Sequence, residues 1–377
     1  MTTSGPTAAP PSLLFITRKY PPAEGGMEEF SFQLFDQYPG DKWLVAQQGS
    51  DWQLPLLAAR AMRSAWRTRG QVGRIHLGDA LLAPIAPILG WLGRAPVSVT
   101  VHGLDLTFRL PGYSRLIAVA LRRVRGGVIA VSQHTAGIAG ARGVHTVVVS
   151  NGVDLPRFTR LRARTGATGE RSALGIPEDA TLIVTVGRLV RRKGAVWFAE
   201  QVLPLLPSDV VYAVSGDGPD RVRLEGIASR DPRVRVLGRL SDDDVDRLLA
   251  NADVFVAPNL PVERDPEGFG IAPAEAAAAG LPVLVADLEG LRDMAEVCGV
   301  PTVPPADAAA WATSVLAAID EPDRARPSRP VRDWSVVAGE YARVFAGLTS
   351  VDYSGSGGST PSGRSTANTL SVIETSP

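Results

Sequence analysis

Two glutamates, Glu267 and Glu275, stand eight positions apart in the stretch "DPEGFGIAPAEA", with two glycines and a proline between them. The stretch reads as a loop entering a helix, with Glu275 about one turn inside the helix and Glu267 in the loop before it. The amides of Gly268, Phe269, Gly270 and Ile271 are then helix-entry donors that no intrahelical carbonyl can satisfy. A carboxylate offers two acceptor oxygens and suits vicinal hydroxyls, whereas free amides suit phosphate or sugar oxygens. A nucleotide sugar combines these groups: ribose diol, diphosphate and sugar diol.

A second constellation lies in "VGRLVRRKG" (186–194), where Arg188 and Lys193 follow a strand end beside a helix start at Gly194. Two cations and a helix dipole aimed at one place suit a diphosphate, the arginine by bidentate contacts and the lysine as a point charge. Arg191 and Arg192 read as solvated, and the loop alone reads equally as a basic surface turn. "VSGDGPDR" places Gly216, Asp217, Gly218 and Pro219 in a tight turn that either approaches a ligand or closes a strand-helix connection. In "RKYPPAEGGMEEF", Gly25 and Gly26 leave backbone amides open at a helix entry, which suits an anion or a loop needing positive φ. His102, in "VHGLD", stands at a strand end with Gly103 and Asp105 beside it; a structural histidine is the competing reading. His76, His134 and His145 have no such company and receive no role. "SDDDVD" (241–246) has Asp-x-Asp spacing, but serine followed by acids reads better as a helix N-cap than as a metal site.

The elements that must hold these residues alternate along the chain. Short β-rich runs ("SLLFIT", "WLVAQ", "RIHL", "PVSVTV", "GVIAV", "HTVVVS") alternate with helix-length segments near 27–37, 55–69, 80–93, 113–125 and 133–140. The pattern then restarts: "TLIVTV", "VVYAVS", "VRVLG", "DVFVA" and "PVLVA" alternate with helices near 195–205, 220–229, 242–251, 271–279 and 307–320. Such alternation predicts two consecutive doubly wound α/β domains with parallel sheets. Ligands on these sheets bind beyond the carboxyl ends of the strands, where the loops above fall. The expected organisation is an N-tail at 1–11, a first domain at 12–157, a second at 158–331, a helix at 332–350 and a tail at 351–377. Both tails have the composition of disordered segments.

With 377 residues, 45% of them hydrophobic and 21% charged, the chain is long enough for two globular domains. No apolar run is long enough to span a membrane, and the start "MTTSGPTAAPPS" lacks the order of a secretion signal, so the expected location is the cytoplasm. Cys298 is the single cysteine, and its apolar setting favours a packed thiol. The formal net charge of zero hides an asymmetry. Residues 1–157 carry 16 Lys and Arg against 9 Asp and Glu, whereas residues 158–377 carry 23 against 30. Arginines cluster at 60–74 and 122–125, which either forms a solvated helix face or draws the chain to anionic lipid at the inner face of the plasma membrane.

In order and spacing, "YPPAEGGMEEF", "TVHGLDL", "VSNGVD", "VGRLVRRKG", "SGDGP", "VLGRLSDDDV", "ADVFVAP", "EGFGIAPAEAAAAGLPV" and "DWS" resemble the retaining glycosyltransferases of family 4 over about residues 13–348. The resemblance implies the GT-B fold: two Rossmann-like domains facing across a cleft, with a C-terminal helix returning to the first. It implies that Glu275 holds the ribose hydroxyls and that Glu267 lies against the donor sugar. Amides of Phe269, Gly270 and Ile271, with Gly216 and Gly268 nearby, would bind sugar and phosphate oxygens, and Arg188 and Lys193 would neutralise the diphosphate. Gly25 and Gly26 would close over it, the base would stack near Gly238, Arg239 and Leu240, and His102 would reach the reacting centre with Asp105 nearby for the acceptor. The implied donor is a GDP- or UDP-linked sugar and the implied acceptor a glycan or lipid-linked hydroxyl, with no metal, other cofactor or nucleic acid involved. One departure stands out: where the family commonly has Gly-Gly-x-Pro-Glu, this chain has "DLEGLRDM", with Gly290 and Asp293 only roughly in place. A sugar-nucleotide epimerase of the same fold and a non-catalytic scaffold are the rival readings. A dehydrogenase is disfavoured because neither half has a glycine triplet followed by a ribose acid.

Overall fold

The computed structural model describes residues 9–23, 25–47, 53–108, 112–162, 170–263 and 265–349. The expected C-terminal tail at 351–377 and residues 1–8 of the N-tail lie outside them. Pro11, placed in that tail by its composition, is tied to the first domain: the Tyr38 hydroxyl donates to its carbonyl at 2.6 Å.

Two six-stranded parallel sheets organise the described residues. The first contains β1 (Leu13–Thr17), β2 (Lys42–Ala46), β3 (Arg74–Leu77), β4 (Val97–Val101), β5 (Val128–Ala130) and β6 (Thr146–Val148), in the order β2-β1-β3-β4-β5-β6. The second contains β7 (Thr181–Val186), β8 (Val210–Ser215), β9 (Val234–Gly238), β10 (Val254–Ala257), β11 (Val283–Ala286) and β12 (Thr302–Val303), in the order β12-β11-β10-β7-β8-β9. Helices cover both faces, so β1, β4, β8, β10 and β11 are buried along their whole length; four of them read as nearly continuous apolar runs, while β4 alternates valine with Ser98 and Thr100. The order reverses between β1 and β3 in the first sheet and between β7 and β10 in the second. A crevice opens at each reversal, because the flanking connections depart to opposite faces. The loop residues described at these points are 18–23, 25 and 78–79 in the first domain, and 187–194, 258–263 and 265–270 in the second.

Eleven of the twelve strands coincide with the runs read from sequence; β12, only two residues long, carries too little pattern. The segment expected as one helix over 80–93 is a 3-10 turn, Ala80–Ile85, followed by an α-helix, Ala86–Gly93, with Pro84 and Pro87 at the junction. The segment near 195–205 passes from α-helix through a π turn, Phe198–Val202, to a 3-10 turn containing Pro204. Four α-helices lie outside the segments expected from sequence: the longer Leu155–Arg162 and Glu289–Cys298, and the single turns Leu104–Thr107 and Glu170–Ala173. The first contains residue 158, and Val153, Phe158 and Leu161 already pack in the core of the second domain.

The final helix, Trp334–Thr349, crosses back. Trp334, Val337, Tyr341 and Phe345 bury themselves against Phe15, Phe30 and Leu34 of the first domain. Beneath this helix runs a buried polar chain: the Tyr341 hydroxyl lies 3.1 Å from Thr100 Oγ1, which lies 3.0 Å from His76 Nε2, while His76 Nδ1 lies 2.9 Å from Ser98 Oγ. Burial pushes the His76 imidazole down to about 3, helped by the charges of Arg74 and His102, so it is neutral. Arg74 departs from its sequence reading as part of the 60–74 basic cluster: it is fully buried, donating to the carbonyls of Gly126 and Phe345.

The two chain crossings between the domains clasp each other. Val153 N–H donates to the Arg332 carbonyl at 2.9 Å and Trp334 N–H to the Val153 carbonyl at 3.2 Å. Asp333 accepts from Leu155 N–H at 3.2 Å and from Ser335 N–H at 2.9 Å, so one carboxylate sits at the start of both crossing helices.

Candidate active site

The second-domain crevice is built by three loops that approach within backbone contact. A Cβ on Gly216 would stand 1.9 Å from the Gly187 carbonyl oxygen, and one on Gly218 would stand 2.4 Å from that of Leu189, so the "SGDG" turn is pressed onto the "VGRL" loop. Gly216 N–H donates to the Gly238 carbonyl at 2.7 Å, which ties in the "GRL" loop after β9. Gly238 has φ 66°, Arg239 is exposed and Leu240 packs part-buried against the core. Gly194, at φ 71°, touches the carbonyl of Pro258 after β10 so closely that any Cβ would overlap it.

Across this crevice lies Glu267. Its Oε2 is 2.6 Å from Lys193 Nζ, accepts from Asn259 Nδ2 at 3.1 Å and is paired with Arg192 Nη1. Burial opposes its ionisation, but Lys193, Arg192 and the Asn259 hydrogen bond outweigh burial and hold the carboxyl at about 2. Arg192, read from sequence as solvated, is therefore corrected: it is buried and bridges Glu267 and Asp265, the latter at 3.2 Å. Arg188 is exposed at the mouth, near enough for its charge to lower the pKa of Lys193, whose burial is the larger influence in the same direction.

The helix Ile271–Ala278 starts behind Gly270, which takes φ 90°, and Phe269 is buried beneath it. This entry leaves the amides of Gly268, Phe269, Gly270 and Ile271 at the crevice end of the helix. One turn on, Glu275 is part-buried, and burial pushes its carboxyl up to about 8. Arg157 works against that shift, while Glu29 of the first domain and Asp246 and Asp242 add to it. Arg157 grips Asp246 with Nε at 2.9 Å and Nη2 at 2.7 Å and comes from the crossing helix that the sequence left unread.

The first domain closes on this entry. A Cβ on Gly26 would touch Ile271 Cδ1 at 3.4 Å, and one on Gly268 would lie 2.7 Å from the His102 carbonyl oxygen. Gly25, at φ 150°, precedes the helix Gly26–Gln37. The His102 ring stacks edge-on against Phe30 at 4.8 Å, with Nε2 donating to the Gly78 carbonyl at 2.9 Å. That bond fixes the ring's orientation and leaves Nδ1 as the acceptor nitrogen of the neutral form. Asp105 does not present itself to an acceptor: its carboxylate accepts His102 N–H at 2.9 Å and Ala80 N–H at 3.0 Å, so it locks the loop that carries His102. At the first-domain switch point, Arg18 Nε lies 3.1 Å from the fully buried Asp79, which also caps the turn at Leu81. Burial raises the Asp79 carboxyl and Arg18 works against that shift. Neither residue carried a motif that would single it out. The "SDDDVD" reading holds locally, with Ser241 Oγ accepting Asp244 N–H at 3.2 Å at the start of the helix Asp242–Asn251.

Comparison with known proteins bears on the family and the fold. The family described as "Glycosyl transferases group 1" matches residues 180–321 and that described as "Glycosyltransferase Family 4" matches residues 16–157. Phosphatidyl-myo-inositol mannosyltransferase of Propionibacterium freudenreichii is 26% identical over 292 residues, covering 74% of this chain and 71% of that protein. The enzyme of the same name from Mycobacterium tuberculosis is 29% identical over 302 residues, covering 74% and 75%. Among solved structures, Anabaena HepE in complex with UDP and glucose superposes with a TM-score of 0.69 at 19% identity, over 90% of this chain and all of that one. A Rickettsia africae glycosyltransferase does so with 0.70 at 16%, over 90% and 99%. The two family matches, one to each domain, and the shared two-domain architecture mean that this chain belongs to the group 1, family 4 glycosyltransferases of GT-B fold.

Proposed function

We propose that the protein transfers a hexosyl group, of mannosyl or glucosyl type, from a nucleoside-diphosphate sugar to a hydroxyl of a glycan or lipid-linked acceptor, with retention at the anomeric carbon. The observation that carries this reading is Glu267, an ionised carboxylate fixed by Lys193, Arg192 and Asn259 beside the entry of the helix that bears Glu275. That arrangement matches a donor with hydroxyls at one end and a diphosphate in the middle. Glu275 takes the ribose hydroxyls, Glu267 those of the sugar, and Arg188, Lys193 and the helix-entry amides the diphosphate.

Bond cleavage at the anomeric carbon builds charge on the leaving β-phosphate, and the cations and amides are oriented toward it before reaction begins. Such preorganised donors are worth about 10²–10³ in rate apiece, or ~3–4 kcal/mol. A double displacement would need a carboxylate on the opposite face of the sugar. In our reading attack is instead front-face, with the departing phosphate oxygen taking the acceptor's proton and His102 lying against the sugar from the first domain. Protein charges perform the neutralisation, so this reading requires no metal, and turnover is expected to survive chelation by EDTA.

A thermal-shift panel of UDP, GDP, ADP and their sugars tests the donor class, since a ligand that binds only the folded chain raises its midpoint. Proton NMR of the first-formed product then reads the anomeric configuration. An inverted product would end the retaining mechanism, and an epimerised sugar formed without acceptor would favour the epimerase.

Peripheral contact with anionic membrane is part of the same proposal. The helix Leu54–Arg67 packs beside Ala86–Gly93, and together they expose Leu56, Trp66, Ile88 and Trp91 among Arg60, Arg63, Arg67 and Arg94. Aromatic and aliphatic side chains interleaved with arginines suit an anionic interface. The relatives' activity as phosphatidyl-myo-inositol mannosyltransferases fits a lipid-linked acceptor. Among the described residues no helix is long and apolar enough to cross a membrane. Sedimentation with liposomes should favour anionic over zwitterionic lipid; equal binding would remove this part of the proposal.

A further inference from the structure

The helix Glu289–Cys298 occupies the place where the sequence departs from the family's usual Gly-Gly-x-Pro-Glu. Its first residue, Glu289, takes φ 43°, a left-handed conformation natural to glycine and costly for a side-chain-bearing residue. Backbone strain of this kind persists only where surrounding contacts enforce it. The enforcing contact is visible: Glu289 Oε2 accepts the Glu267 N–H at 2.8 Å. The next residue, Gly290, lies so close to the donor loop that a Cβ would stand 2.2 Å from the Gly268 carbonyl oxygen and 2.6 Å from that of Glu267. The side chain of Glu267 is thus fixed from one side by Arg192, Lys193 and Asn259, and its backbone from the other by Glu289.

Four residues on, and so on the same face of the helix, is Asp293. Its Oδ2 accepts the backbone N–H of His134 at 2.8 Å. His134 belongs to the first turn of Gln133–Gly140, a helix of the other domain whose start is also capped by Ser132 at Thr135 N–H. Asp293 therefore places a carboxylate at the positive end of that helix, across the cleft, where both the hydrogen bond and the dipole favour it. This bond joins the two domains directly.

We propose that Glu289–Cys298 is a two-ended brace. Glu289 is a positioning residue that holds Glu267 for the donor sugar, and Asp293 couples that hold to domain closure. When the domains part, Asp293 loses its partner and the helix that carries Glu289 is held only by its own domain, so the backbone of Glu267 is held most firmly in the closed state, while Arg192, Lys193 and Asn259 keep its carboxylate in either state. The inference rests on Glu267 facing the donor sugar, as proposed above.

The full-length chain tests it with four variants. Glu289→Gly removes the bond together with the strain that the bond offsets, so its unfolding midpoint should not rise, while acceptor-free hydrolysis of GDP-mannose or UDP-glucose falls on the order of tenfold to a hundredfold at little-changed KM. Glu289→Gln keeps an acceptor oxygen for the Glu267 amide and should retain turnover. Asp293→Ala should enlarge the radius of gyration of the ligand-free chain in small-angle X-ray scattering, and Asp293→Asn, which still accepts the bond, should not. Wild-type turnover in Glu289→Gly overturns the positioning role, and scattering of Asp293→Ala identical to wild type overturns the coupling. If the wild type neither hydrolyses these donors nor binds UDP or GDP, the donor-sugar reading fails and the positioning role with it, while the scattering arm still decides whether Asp293 holds the domains together.

Discussion

Lys193 Nζ lies 2.6 Å from Glu267 Oε2, so in the ligand-free chain the lysine proposed to meet the donor's diphosphate is engaged by the carboxylate proposed to meet its sugar. Arg192 and Asn259 hold the same carboxylate oxygen. Removing the lysine therefore leaves Glu267 partnered. Lys193→Ala should cost only about 2 kcal/mol of stability, the scale of one hydrogen bond to a charged group, yet reduce turnover by about 10²–10³. Denaturant unfolding and initial rates on one preparation check the pair of outcomes; equal losses in both would assign Lys193 a purely structural task.

The two glutamates of the opening motif should act oppositely on stability as pH changes. Burial raises the Glu275 carboxyl to about 8 in the ligand-free chain, so the folded state keeps a proton that the unfolded state releases near 4.5. Its contribution is fully present below about 4.5 and is lost as pH rises through 8. Glu267, held at about 2, contributes above 4.5 and loses that contribution as pH falls toward 2. Thermal midpoints across this range should decline toward the alkaline side in the wild type and decline less in Glu275→Gln. A variant with the same alkaline slope would show that Glu275 is ionised throughout.

Gly216→Ala offers a test of the crevice wall. At φ 140° the position is strained for alanine, and the added Cβ would stand 1.9 Å from the Gly187 carbonyl oxygen, a backbone atom that cannot move without its loop. We expect a stability loss of about 2 kcal/mol or more, accompanied by weaker nucleotide binding because the "VGRL" loop bearing Arg188 is displaced. Calorimetric titration with GDP and UDP measures the second effect, and unchanged affinity would separate the two loops.

Cys298 is buried at the end of the helix Glu289–Cys298, and burial pushes its thiol up to about 12. A thiol that is neither ionised nor accessible should resist iodoacetamide in the native chain and react fully once denaturant is added. Rapid native labelling would mean that this helix opens readily, which would also weaken its proposed service as a brace.

Local sequence carried much of the architecture. Runs such as "TLIVTV" and "VVYAVS" are mostly apolar rather than alternating because both faces of a parallel sheet are covered, and the helix between Asp242 and Asn251 announces itself by Ser241 and the acids that follow. The segments that went unread lack such marks. The two-residue β12 is too short to show a period, and Glu289–Cys298 begins at a left-handed glutamate with no side-chain cap.

Sequence alone determined the residue types of the candidate site and the segments that bear them: Glu267, Glu275, Arg188 and Lys193 all follow strands whose mostly apolar runs fix where each strand ends. It could not determine partners. Arg191 and Arg192 are adjacent and chemically identical, yet one is exposed and the other buried against Glu267, because only the path of the 3-10 turn Arg191–Lys193 decides which side chain faces inward. Asp105 has the same carboxylate as any candidate ligand, and the approach of Ala80 and His102 commits it to backbone amides. Interactions between the domains, such as the hydrogen bond of Asp293 with His134 and the repulsive charge of Glu29 on Glu275, join residues far apart along the chain and depend on how the two domains meet. Local propensity acts over a few residues, whereas hydrogen bonding and charge act over a few ångströms, and only the folded chain converts one into the other.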